Sequence, residues 1–242
     1  MDKKTYIIAQ NQLVAADTYR LVLSGDGCIK GEFVHLDIPG YYLRRPFSLC
    51  DASETSITLL YKTVGEGTRK LSKLAEGTEV SVLTGLGRGF NPAACQAKAL
   101  LVAGGLGAAP LYYLARELKA QGKEVTAILG FNKKDEIVLH EEYEALCDHV
   151  AIATLDGSVG TKGFVTDAIK ALNPTYDYFY TCGPMVMMKA VCSALEGPGE
   201  ASLEERMGCG AGFCYGCSIE TLRGPRRVCM DGPVFSKEDI QW

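Results

Sequence analysis

No stretch of this 242-residue chain approaches the roughly 20 consecutive apolar residues that a transmembrane helix needs. The chain opens Met1-Asp2-Lys3-Lys4 with no apolar signal segment behind it, which argues against export and against a disulfide framework for its 10 cysteines. A cytoplasmic location is expected. Charge of neither sign dominates: 25 Lys plus Arg face 29 Asp plus Glu, and a net charge of −4 offers no footprint for nucleic acid or an anionic membrane. Histidine is scarce. The 3 residues, His35, His140 and His149, stand apart from every motif and read as structural or surface positions, not catalytic bases. There is no internal repeat and no low-complexity tract, and the length suits one large or two ordinary domains, each able to bury a core.

What the sequence does have is concentrated near its C-terminus. Cys209, Cys214, Cys217 and Cys229 are spaced Cys-x4-Cys-x2-Cys-x11-Cys, and the first three match the plant-type [2Fe-2S] ligand run. Gly208, Gly210, Gly212 and Gly216 lie among them, letting the backbone fold tightly and turn N–H donors toward sulfur. A structural zinc site more often shows two separated Cys-x2-Cys pairs, and one such pair is present, so zinc stays as the weaker alternative beside unconnected thiols. The fourth cysteine follows much sooner than in a whole ferredoxin domain, which predicts a short appended module. Cys28, Cys50, Cys95, Cys147 and Cys192 read as ordinary thiols, with Cys182 set apart below.

Two styles of sequence meet near residue 95. Before it come short β-rich runs at residues 6–8, 19–23, 33–38, 56–61 and 79–83, separated by Gly, Asp and Ser turns, which predict a small antiparallel barrel. After it, apolar strands at 99–102, 125–129 and 178–181 alternate with helical patterns at 111–120 and 186–195, which predicts a parallel α/β sheet. Asn91-Pro92 marks the expected hinge, and Gly197-Pro198-Gly199 the exit toward the cysteines. The expected domains are therefore 1–95, 96–197 and 198–242.

The α/β segment opens with the apolar run 100–103 followed by Gly104-Gly105-Leu106-Gly107-Ala108-Ala109-Pro110. A strand, a glycine turn and a helix start aim backbone N–H groups where a pyrophosphate can bind, and Pro110 suits a first helical turn because its missing N–H has no partner there. The pattern is Gly-x-Gly-x-x-Pro and not Gly-x-Gly-x-x-Gly, so a plain tight turn is the competing explanation. A second glycine turn, Cys182-Gly183-Pro184, ends the strand at 178–181, and ligands bind at such strand ends. Cys182 is placed beside the bound dinucleotide on that ground, against the alternative of a small buried apolar residue.

In the barrel part, Arg44-Arg45-Pro46-Phe47-Ser48-Leu49 carries an Arg able to hold a diphosphate and a Ser hydroxyl able to bond a flavin nitrogen. A solvated Arg pair before an ordinary strand explains the hexapeptide equally well. Downstream, Gly67-Thr68 looks like a helix start able to accept phosphate, or merely a capped surface helix.

In this order the residues resemble the ferredoxin-reductase superfamily over about residues 1–197. Its flavin motif, Arg-x-Tyr/Phe-Ser/Thr, is met by Arg45, Pro46, Phe47 and Ser48, its nucleotide motif by Gly105, Gly107 and Pro110, and its Cys-Gly-Pro motif by Cys182, Gly183 and Pro184. With the four-cysteine module the whole chain is similar to the electron-transfer subunits of class B dihydroorotate dehydrogenase. That resemblance implies FAD contacts at Arg45, Pro46, Phe47 and Ser48, at Leu60, Tyr61 and Lys62, and at Gly67 and Thr68, NAD contacts at Gly104, Gly105, Gly107, Pro110, Gly183 and Pro184, and cluster ligands at Cys209, Cys214, Cys217 and Cys229. It implies an FMN-containing catalytic partner that oxidises dihydroorotate, in a heterotetramer of two plus two, with electrons passing through the cluster and FAD to NAD⁺ in pyrimidine biosynthesis. No dihydroorotate site is recognisable in this chain.

Two alternatives stay open from the residues. One is another flavin and iron-sulfur subunit, such as the small subunit of a ferredoxin-dependent NADPH oxidoreductase, a relative that characteristically has Asp where this chain has Cys209 as first ligand. The other is a zinc-bearing interaction module. Asn132-Lys133-Lys134-Asp135 mixes a basic pair suited to a 2′-phosphate with an acid suited to a ribose hydroxyl, so NAD is favoured over NADP by the resemblance and not by these residues.

Overall fold

The computed structural model describes residues 1–25 and 32–242, so Cys28 lies outside the described residues. The chain forms two compact units, Met1–Gly89 with Glu204–Pro233 and Phe90–Leu203 with Val234–Trp242.

In the first unit, strands β1 (Asp2–Ala15), β2 (Thr18–Ser24), β3 (Phe33–Leu36), β4 (Arg45–Ala52), β5 (Ser56–Lys62) and β6 (Glu79–Leu86) close into an antiparallel barrel in the order β1-β2-β5-β4-β3-β6. Side chains alternate across each strand, so Tyr6 and Ile8, Leu21 and Leu23, Val34 and Leu36, Phe47 and Leu49, Ile57, Leu59 and Tyr61, and Val80 and Val82 fill the interior. Burying each large apolar side chain contributes about 1.5–3 kcal/mol, and closure leaves no barrel edge to pair with another chain. The expected runs all fall on strands. β4 was hidden in the sequence because Arg44-Arg45-Pro46 breaks the apolar alternation at its start. A short helix, α1 (Glu66–Leu71), follows β5 and buries Leu71 in the same core.

The second unit contains β7 (Lys98–Gly104), α2 (Ala108–Ala120), β8 (Glu124–Phe131), α3 (His140–Leu146), β9 (His149–Thr154), β10 (Thr161–Lys162), α4 (Val165–Leu172), β11 (Tyr178–Cys182), α5 (Met185–Ala194) and β12 (Gly199–Ser202). Between β12 and the final strand come a two-residue hairpin pair, β13 (Ser218–Ile219) and β14 (Arg226–Arg227), and the short helix α6 (Val228–Asp231). β15 (Val234–Ser236) completes a seven-stranded sheet of order β10-β9-β8-β7-β11-β12-β15, parallel except for β15. β7 and β8 read as nearly unbroken apolar runs because helices cover both faces of such a sheet.

The boundaries differ from those expected. Residues 90–95 belong to the α/β unit: Tyr180 donates to the Asn91 carbonyl at 2.8 Å, and the Asn91 N–H donates to Glu200 at 2.9 Å. The expected module at 198–242 is divided in two. Its flanks, β12 and β15, pair with each other inside the α/β sheet, while Glu204–Pro233 packs with the barrel. Strand pairing, invisible in a count of cysteine spacings, decides this.

Candidate functional site

The nucleotide turns come first because the sheet itself places them. From β7 the chain proceeds to β8, β9 and β10 on one side, then returns to add β11 and β12 on the other. The order thus reverses between β7 and β11, and a crevice at such a switch point is where open α/β sheets bind ligands. Both glycine turns leave the sheet at that point, since Cys182 of β11 lies in register with Ala103 of β7. A Cβ added to Gly107 would stand 2.1 Å from the Cys182 carbonyl oxygen and 2.9 Å from the Gly183 nitrogen, so only glycine allows the two turns to touch. Gly105 has φ 53°. The N-terminus of α2 has no side-chain cap, the Ala108 N–H turns back to the Gly105 and Leu106 carbonyls, and Pro110, its third residue, has no N–H to satisfy. Cys182 is 3% exposed, with its carbonyl turned to Gly107. Beyond β8, Lys133 faces Asp135 at 3.8 Å and Asn132 donates to Glu136 at 2.8 Å, so the mixed charges there largely satisfy one another.

The flavin motif sits on β4. Phe47 points into the barrel, where its ring meets Tyr61 edge-on at 5.8 Å, and Tyr61 donates to Asn11 at 2.8 Å. Tyr61 therefore presents backbone, not its ring, to any ligand outside. Alternation along β4 and β5 turns Pro46, Ser48, Leu60 and Lys62 away from the barrel interior, with Leu60 nonetheless buried. Arg45 starts β4, and a Cβ at Gly67 would lie 3.4 Å from its Nε, so the guanidinium and the start of α1 meet although the sequence separates them. The Arg45 guanidinium lies over the Tyr41 ring at 5.5 Å. Thr68 is committed to its own helix: its hydroxyl accepts from the Gly65 N–H and donates to the Gly65 carbonyl, both at 3.1 Å. The Arg45 guanidinium also donates to the Leu43 carbonyl, and no carboxylate lies beside it among the described residues, so a cation beside a glycine backbone is what a diphosphate would meet here.

The cysteine loop is built for thiolates. Ala211 and Cys214 donate backbone N–H groups to Cys209 Sγ at 3.4 Å, and Cys229 donates to Cys217 Sγ at 3.4 Å. Burial would raise the Cys209 thiol, but these donors outweigh it and bring the thiol down to about 7. Cys229 goes the other way, to about 12, through burial and its contact with the Cys217 thiol. The side chains associate as Cys209 with Cys214 and Cys217 with Cys229, and among the described residues no three His, Cys, Asp or Glu converge on one point. Two pairs suit two irons, each taking two thiolates.

Residues outside the expected motifs hold this loop. Arg227 donates to the Gly212 carbonyl at 2.9 Å and to Asp231 at 3.2 Å, with its guanidinium over the Tyr215 ring at 5.0 Å. Backbone and side-chain donors of Arg227 hold Asp231 below the usual carboxylate range. Tyr215 adopts φ 57°, a left-handed conformation that a bulky residue keeps only under constraint. His35, expected to stand apart, does not: it pairs with Pro46 across β3 and β4, and its ring lies against Gly210. Burial, with Arg44 nearby, pushes its pKa down to about 4. His140 and His149 do fit a surface reading, His140 lying 3.2 Å from Glu144 and His149 being exposed.

A closed flavin-type barrel, a nucleotide sheet with its glycine turns at the switch point and a four-cysteine loop define a ferredoxin-reductase-like electron-transfer protein. Residues 101–193 match the oxidoreductase NAD-binding domain and residues 204–241 the iron-sulfur cluster binding domain of dihydroorotate dehydrogenase B. The chain belongs to the family of electron transfer subunits of dihydroorotate dehydrogenase B (NAD(+)). The Fusobacterium nucleatum member is 39% identical over 251 residues, covering 97% of this chain and 96% of its own, and the Bacillus mycoides member is 41% identical over 252 residues, covering 97% of each. Among solved structures, one described as giving insights into flavin-based electron bifurcation, of NADH-dependent reduced ferredoxin-NADP oxidoreductase, superposes with TM-score 0.90 at 29% identity over 98% of this chain and 90% of that one. The FAD/NAD-binding domain of a Vibrio cholerae nitric oxide dioxygenase shares the fold, with TM-score 0.68 at 19% identity over 80% of this chain and 92% of that one.

Proposed function

We propose that this chain passes electrons from the FMN of a dihydroorotate-oxidising catalytic subunit, through a [2Fe-2S] cluster on Cys209, Cys214, Cys217 and Cys229 and then FAD, to NAD⁺, in pyrimidine biosynthesis. The observation that carries this is the arrangement of the four cysteines as two N–H-bonded pairs in a segment packed with the flavin barrel. Nicotinamide carries hydride, a cluster carries single electrons and a flavin exchanges both, so FAD belongs between them. This chain's residues supply position: Arg45 with Gly67 for the diphosphate, Pro46, Ser48, Leu60 and Lys62 along the flavin face, and Gly104, Gly105, Gly107, Pro110, Gly183 and Pro184 for the dinucleotide, with Cys182 closing β11 beside it. The dihydroorotate site lies on the catalytic subunit, in a heterotetramer of two plus two. Exposed Phe213, Tyr215, Leu222 and Met230 in the cysteine segment are suited to being covered by that subunit. A cytoplasmic location accords with thiols that must stay reduced to hold iron.

Protein purified without oxygen is expected to be coloured, with one flavin and two irons per chain, and to co-purify with an FMN subunit that oxidises dihydroorotate. Colourless protein containing zinc would overturn the redox reading. A coloured protein whose partner oxidises some other substrate would overturn only the pathway.

A further inference from the structure

His35 is fully buried, and neither ring nitrogen has a hydrogen-bond partner among the described residues. Buried polar atoms are almost always paired, so an orphaned imidazole at 0% exposure points to a partner supplied by something bound. Its surroundings indicate what. The strand neighbour across β3 and β4 is Pro46, which has no N–H and no polar side-chain atom to offer. The Phe33 ring lies 5.8 Å away on the same face. The neighbour on the other side, Leu83 of β6, has no polar side-chain atom either, and the ring is covered by the cysteine loop: a Cβ built on Gly210 would fall 2.4 Å from Cε1 of His35, 2.6 Å from Nε2 and 2.7 Å from Nδ1. The N–C–N edge of the ring therefore rests on the backbone one residue after Cys209. Glycine at 210, with φ 65°, is what admits it.

We propose that the imidazole of His35 donates a hydrogen bond into the [2Fe-2S] cluster carried by the Cys209–Cys214 loop and thereby sets the potential at which that cluster exchanges electrons. The inference rests on the cluster reading of the four cysteines. Sulfur atoms of a cluster accept such bonds, and the bond strengthens when reduction adds negative charge, so a donor raises the potential. His35 also stands opposite the flavin motif in strand register, so a single side chain joins the strand of Pro46 to the loop of Cys209. An apolar residue of similar size would fill the space equally well but would leave the sulfur without this donor.

The test uses the full chain with its cofactors. Reduced wild-type protein grown with ¹⁵N-histidine is expected to show a ¹⁵N coupling to the cluster by pulsed EPR, and His35→Phe should remove it. In the same variant the cluster midpoint should fall so that the one-electron equilibrium shifts about tenfold, equivalent to 59 mV. If His35→Phe does not retain iron, the labelled unmutated protein still decides. A reduced protein without a cluster signal would overturn both this inference and the reading beneath it. A cluster signal with no histidine coupling, or an unshifted midpoint in an iron-complete His35→Phe, would overturn this inference alone.

Discussion

In the proposed function the two units hold their redox groups in opposite ways. In the α/β unit the site is backbone: glycine turns at the ends of β7 and β11 touch because Gly107 has no side chain, and an uncapped helix follows. In the barrel unit it is side chains brought from far apart in sequence: Arg45 to Gly67, Arg227 to Gly212 and His35 to Gly210. A backbone site is carried by a contiguous motif. A side-chain site depends on strand register and on which segment packs where, so its members share no local signature.

Breaking the barrel unit at its cysteines should have the largest effect. Cys217 is 1% exposed and accepts the Cys229 N–H, and in the proposed function it is a cluster ligand on the route between the partner's FMN and FAD. In Cys217→Ser, electron flow from dihydroorotate to NAD⁺ should be lost, while NADH still reduces FAD, a step that uses only the barrel and the α/β sheet. Because a thiolate ligand also helps fold its loop, assembly with the catalytic subunit must be confirmed by size-exclusion chromatography in the same preparation. A cluster-free but assembled complex passing electrons at the normal rate would show the cluster to be structural.

Gly107→Ala breaks the other unit. The added methyl would meet a backbone carbonyl at 2.1 Å, and backbone cannot swing aside, so the turns must part. Overpacking of this kind costs about 1–3 kcal/mol, and it displaces the N–H groups meant for the dinucleotide. The reduction of FAD by NADH should become at least about tenfold weaker in NADH dependence, with iron and flavin content unchanged. Unchanged NADH dependence would remove the Gly107 turn from the dinucleotide site.

Legibility follows the same division. The strand runs, the alternation after residue 98, both glycine turns and the cysteine spacing could be read directly, because each is local. The strand β4, the split of residues 198–242 between two units, and the parts played by His35, Arg227 and Asp231 could not. His35 looked detached because its nearest motif neighbours, Pro46 and Gly210, are joined to it only by strand pairing and by packing. Its place between Phe33 and Leu36 in an apolar run was a hint of burial, and burial alone does not name a partner.

Arg45→Ala sharpens the comparison within the barrel unit. Removing one charge-assisted diphosphate partner costs about 1.5–3 kcal/mol, so FAD affinity should fall between about tenfold and a hundredfold. Flavin and iron measured after desalting should show flavin lost and iron kept, since the cysteine loop is held by Arg227 and not by Arg45. Unchanged flavin content would remove Arg45 from the site.

The smallest effect should come from Asp177, which anchors the start of β7 and so the approach to the glycine turn. Its carboxylate accepts the N–H groups of Gln96, Ala97 and Lys98 at 2.8, 2.8 and 2.7 Å. Burial alone would raise its pKa, but the three donors outweigh burial and hold it below the ordinary value. A depressed pKa means that the stabilisation is present above the unfolded value of about 3.9 and is lost as pH falls through the folded one. Asp177→Asn keeps one acceptor oxygen but turns an NH₂ toward the remaining donors. With a discount for partial exposure the cost is about 1 kcal/mol, or roughly fivefold faster hydrogen exchange at those three amides. Between pH 7 and 5 the difference from wild type, expressed as free energy, should stay constant, because the carboxylate is ionised in both folded and unfolded chains throughout that range. A difference that shrinks by pH 5 would mean that the Asp177 carboxylate titrates higher than its donors imply, and that β7 is anchored by its neighbours in the sheet instead.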